Sequence, residues 1–97
     1  MTQSFELRRR LDGLVYRFER DVDGVYHRQD RRDLTILWEC DLGWVARVPG
    51  TGLLAGRLWD LPVGAQDDSP AEGRWVSCKG DRSYVYDLVH VPQEGGK

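Results

Sequence analysis

Apolar and polar residues alternate with a period of two along much of the chain, the spacing that places every second side chain on one face of a strand. In "LTILWEC" the residues Leu34, Ile36, Trp38 and Cys40 share a face, and in "WVARV" Trp44, Ala46 and Val48 do the same. β-branched and aromatic residues are concentrated in such runs, and strands are expected at about 5–11, 14–21, 25–28, 34–40, 44–48, 74–79 and 83–91. The four-residue "CDLG" link joins two of them as a tight hairpin. Near the end of the chain, "GRWVSCKGDRSYVYDLVHV" reads as two strands around Lys79-Gly80-Asp81-Arg82. Its second strand carries Tyr84, Tyr86 and Leu88 on one face and Val85, Val89 and Val91 on the other, so it is expected to be central or covered on both sides.

Turn chemistry separates these runs. Asp12-Gly13 and Asp23-Gly24 are flanked by apolar residues and suit two-residue hairpins, in which both central residues take a positive φ. The segments "DGLVYRFERD" and "DGVYHRQDR" repeat this rhythm at an offset of eleven residues. A helix competes for the first segment, because Leu7, Leu11, Leu14, Val15 and Phe18 also share a helical face and Glu6 and Arg10 are four residues apart. Gly13 within such a helix costs about 1 kcal/mol relative to Ala, and Val15, Tyr16 and Phe18 favour strands. The expected fold is therefore all-β: an antiparallel meander of six or seven short strands forming a small barrel or a two-layer sandwich. The alternative is α+β, with a helix at about 4–20 packed on the sheet.

Residues 49–73 hold three of the four prolines and the polar run "AQDDSPAEG", and read as one long loop of the kind that is often functional or mobile. Inside it, "LLAGRLWDLP" (53–62) is expected to form a short strand or turn docked on the core, with Trp59 at its centre. The closing "PQEGGK" (92–97) reads as a flexible tail.

With 97 residues the chain is long enough for one domain and one core, and four Trp, four Tyr and two Phe supply large rings to fill it. The 40% hydrophobic and 31% charged content suits a globular chain, and no apolar run approaches the roughly 18 residues of a membrane-spanning helix. The "MTQSFELRRR" start does not read as a secretory signal, so a cytoplasmic location is expected. In that compartment Cys40 and Cys78 read as small, partly buried hydrophobes. Residues 1–32 carry eight arginines against six acids, and 33–97 carry six basic groups against ten acids, giving a net charge of −2.

The candidate chemistries narrow quickly. Gly50, Gly52 and Gly56 lack the Gly-Lys-Ser/Thr ending of a phosphate loop and the spacing of a dinucleotide turn, so they read as turn residues. Cys40, Cys78, His27 and His90 have none of the close pairing of a structural zinc site. Cys78 and His90 lack an orienting group, because Asp87 falls on the opposite strand face from His90, and no elbow surrounds Ser77 or Ser83. No cofactor, metal or enzymatic activity is expected. Arg8, Arg9, Arg10, Arg31 and Arg32, near Tyr16, Phe18 and Tyr26, make a nucleic-acid-binding barrel one expectation, which the interleaved acids weaken. A structural subunit of a larger assembly is another. The leading expectation is a small interaction module that binds or inhibits a protein partner, of the kind encoded by phages or mobile elements, with Arg57, Trp59 and Asp60 as anchors.

Overall fold

The alternation is realised as eight strands in a computed structural model that describes residues 3–79 and 81–91, with the side chain of Lys79 left out. The strands are β1 (Ser4–Arg9), β2 (Val15–Arg20), β3 (Tyr26–Arg28), β4 (Thr35–Glu39), β5 (Gly43–Arg47), β6 (Leu54–Leu58), β7 (Gly73–Lys79) and β8 (Arg82–His90). Each pairs antiparallel with its neighbours in sequence, and β8 pairs with β1 to close a barrel. Closure removes both sheet edges, so every strand is central. The expected 92–97 tail lies outside the described residues.

The helical alternative at 4–20 is overturned. Phe5 stands opposite Phe18 and Leu7 opposite Tyr16, and both strands turn the alternating apolar set inward. Gly13 has a φ of +76° at the turn, where Arg9 N–H and Leu14 O close the hairpin at 2.7 Å. The turns are longer than the expected two-residue type. Among the described residues only glycines have positive φ, and Val22–Asp23–Gly24 form a three-residue loop in which Gly24 N–H donates to Asp21 O. Asp supplies side-chain turn bonds instead: Asp12 accepts from Leu14 N–H and Asp23 from Val25 N–H.

The 49–73 span, expected as a long loop with a short strand or turn at 53–62, contains β6 and a short 3-10 turn, Val63–Ala65. Val48 N–H donates to Leu53 O and Gly52 N–H to Val48 O, so the Val-Pro-Gly-Thr-Gly stretch is a hairpin turn between β5 and β6. The sheet register skips Ala55, since Ala46 opposes Gly56 while Arg47 opposes Leu54; this is a bulge of two residues against one. On β6, Gly56 is required by close approach. A Cβ there would lie 2.7 Å from Trp75 Nε1 and from Ser77 Oγ.

Alternation divides the barrel into an inner and an outer face. The inner face carries Phe5, Leu7, Phe18, Tyr26, Ile36, Trp44, Leu58, Trp75, Tyr86 and Leu88, the buried core. Five rings run in contact across the half that holds Ser4 and His90. Phe18 stacks on Phe5 at 5.3 Å, Phe5 meets Tyr26 at 4.9 Å, Tyr26 meets Trp44 at 5.4 Å, and Trp44 meets Trp38 at 5.8 Å. Each such pair adds roughly 0.5–1.5 kcal/mol beyond its area burial. On β8 the expected two-faced pattern holds: Tyr86 and Leu88 are buried inside, and Val85 and Val89 lie half-buried outside.

Candidate functional site

The two ends of the barrel differ. At the end formed by the β2–β3, β4–β5 and β6–β7 connections, residues 59–72 seal the interior. Trp44 donates its indole N–H to Asp67 O at 2.9 Å and its backbone N–H to Gln66 Oε1, while Gln66 Nε2 donates to Leu61 O. Arg20 donates to Asp68 O, Tyr26 bonds Ser69, and His90 Nε2 donates to Pro70 O at 2.6 Å. Pro70 is fully buried and Ser69 is buried. The long connection is therefore a plug fixed to the barrel wall.

The opposite end is open. Between the turns of β1–β2, β3–β4, β5–β6 and β7–β8 lies a cavity of about 650 Å³. Its floor is the upper surface of the core: Leu7, Phe18, Ile36 and Trp75. Above them the inner-face positions change character. Arg9 follows Phe5 and Leu7 in phase on β1, Tyr16 precedes Phe18 on β2, Arg28 follows Tyr26 on β3, and Ser77, Tyr84 and Tyr86 complete the wall.

Both inner arginines are held in place. Arg9 and Arg28 have side chains only 18% and 17% exposed. Arg9 donates through Nε and Nη2 to Asp12, and Arg28 donates through the same two atoms to Asp30, each carboxylate coming from the adjoining turn. Arg28 lies 4.1 Å from the Tyr16 ring centroid and Arg9 lies 5.0 Å from that of Tyr84. The bond to Arg9 lowers the Asp12 carboxyl to about 2 and raises the Arg9 guanidinium further. Arg28 likewise lowers Asp30. Burial raises the Tyr86 phenol. At the rim, Arg31 and Asp33 pair at 2.8 Å. Six of the nine exposed large apolar side chains among the described residues, Leu11, Leu14, Val15, Val48, Leu53 and Leu54, also belong to this end.

The residues expected to act together are dispersed. Arg8 and Arg10 point outward to Glu6 and Asp87, Arg9 points inward, and Arg31 and Arg32 bind Asp33 and Asp21. All five are thus carboxylate-paired. Arg57, Trp59 and Asp60 lie near the sealed end. Trp59 is 56% exposed, Arg57 sits 6.0 Å from its ring, and Asp60 binds Arg74 at 2.8 Å. Cys40 and Cys78 are both exposed, not partly buried, and occupy opposite ends of the barrel. Cys78 is likewise separated from His90, while Asp87 is held by Arg10. Phase puts both arginines in line with the inner set, as Phe5-x-Leu7-x-Arg9 and Tyr26-x-Arg28, a signal that adjacency in "RRR" obscures and that does not by itself turn a side chain inward.

No helix among the described residues is long and apolar enough to cross a membrane. In comparisons with known proteins, the chain matches no family model, no curated protein and no solved structure.

Proposed function

We propose that the barrel is a non-enzymatic binding cup that takes a small amphipathic molecule through its open end. The observation that carries this reading is the cavity of about 650 Å³ between an apolar floor and a wall of arginine and tyrosine. That volume falls within the roughly 300–1,000 Å³ typical of small-molecule sites, as does the combination of apolar lining with a few placed polar groups. Catalysis has less support, because Ser77, the serine of the cavity wall, accepts the Trp75 indole N–H at 2.9 Å and His90 is committed to the plug at the other end. Titration with Nile red, a neutral dye that brightens in apolar surroundings, should give saturable one-to-one binding. Ala46→Trp, on the inner face beside the floor, should abolish it without changing the far-ultraviolet circular dichroism. Absence of binding, or binding indifferent to that substitution, would refute the cup.

A second reading concerns the sealed end, where Trp59 and Arg57 border a shallow groove of about 360 Å³ with Leu42, Leu61 and Val63. An exposed tryptophan under a guanidinium is a suitable anchor for a protein partner. Trp59→Ala should release a partner captured from lysate and identified by mass spectrometry, while leaving the urea midpoint unchanged.

A further inference from the structure

Resting on the cup reading, we infer that the ligand is a monocarboxylate with an apolar tail, its head held by Arg28 and Arg9 and its tail on the floor of Leu7, Ile36 and Trp75. The cavity wall is rich in donors and poor in acceptors. Among the described residues Asp33 is the only carboxylate that lines it, and Arg31 occupies that group. The turn carboxylates do not exhaust the inner guanidinium groups. A guanidinium has five N–H donors and two bidentate edges. Asp30 takes the Nε–Nη2 edge of Arg28, and Asp12 takes the same edge of Arg9. Nη1 of Arg28 has no hydrogen-bond partner among the described residues, and Tyr86 stands beside Arg9 on the same wall.

Asp30 and Asp12 therefore act as positioning residues: they fix the rotation of each guanidinium, and Tyr16 supports the Arg28 plane from beneath. A fork held in this way matches the two oxygens of a carboxylate, and charge-assisted bonds of this type are about twice as strong as neutral ones. The recognition is local, because each arginine and its aspartate are together neutral. A neutral head group would leave the fork unsatisfied, and an ammonium head would oppose it.

The experiment uses displacement of Nile red from the intact chain by decanoate, decanol and decylammonium, ligands of equal tail and different head. Decanoate is expected to displace the dye at a concentration at least about tenfold below that of decanol, with decylammonium weakest. Arg28→Gln should bring decanoate to the level of decanol while leaving decanol unchanged, and Arg28→Lys should restore part of the difference. The ranking in the unsubstituted protein tests the proposal even if a variant fails to fold. Equal displacement by decanoate and decanol overturns the carboxylate assignment and leaves the cup standing. Preference for decanoate that persists in a folded Arg28→Gln protein overturns the role of Arg28. Failure of Nile red itself to bind overturns the cup.

Discussion

Gly56 and Trp75 show how a single missing side chain sets the barrel interior. The indole of Trp75 is fully buried and occupies the space above Gly56. Gly56→Ala places a methyl group 2.7 Å from the ring nitrogen, and the neighbouring strands cannot open without breaking their ladder. The expected cost is roughly 1–3 kcal/mol, read as a lower urea midpoint at unchanged slope. Asp12 gives a second test at this scale. Its carboxyl falls from the usual 3.8 to about 2 in the folded chain, so its stabilising contribution is complete above 3.8 and is lost as pH falls towards 2. Asp12→Asn should flatten the acid limb of a plot of melting temperature against pH. At this scale the sequence was informative for the core and less so for the wall. Alternation identifies Phe5, Leu7 and Phe18 as a set, but an arginine in phase with them does not reveal whether it enters the barrel or bends to solvent.

The hairpins account for most of what the chain pattern conveyed, because a turn and two alternating strands are local. Strand β6 was the exception, being expected only as a strand or turn. It is short, contains Gly56 and a bulge at Ala55, and so carries weak strand preference of its own. Its conformation comes from pairing with β5 and β7, which lie on either side in space. The 59–72 connection is likewise defined by its contacts: its length suggested a functional or mobile loop, and Gln66 ties it to both Trp44 and Leu61. Gln66→Ala removes both bonds and should cost roughly 1–3 kcal/mol, with faster hydrogen exchange at the Trp44 amide than at strand amides of the open half.

For the whole molecule, the pairing of β1 with β8 decides between barrel and sandwich. No local signal encodes it, since the partners stand about as far apart in the chain as residues can, and Phe5 meets His90 only after every intervening hairpin has curled the sheet. Twist, bulge and the size of the rings filling the interior select closure. The outer face adds an electrostatic property of the molecule as a whole. Asp12, Asp30, Asp33, Glu39, Asp60 and Asp87 are each lowered by an arginine bonded to them. Folded values below the unfolded ones mean that acid removes stability, so the melting temperature should fall steadily below about pH 4. Added salt should shrink the part of this dependence that comes from Arg10–Asp87, Arg31–Asp33 and Arg74–Asp60, the pairs exposed on both sides.

The seam between β1 and β8 also fixes where the chain enters and leaves. Val91 N–H donates to Ser4 O at 3.0 Å, so both crossing points sit side by side at the plugged end, across the barrel from the cavity. Ser4 and Val91 thus both stand at the end of the barrel opposite the cup. A surface tether or fused reporter at either position would hold the open end towards solution, which makes the barrel a small receptacle that can be mounted by its base without obstructing what it collects.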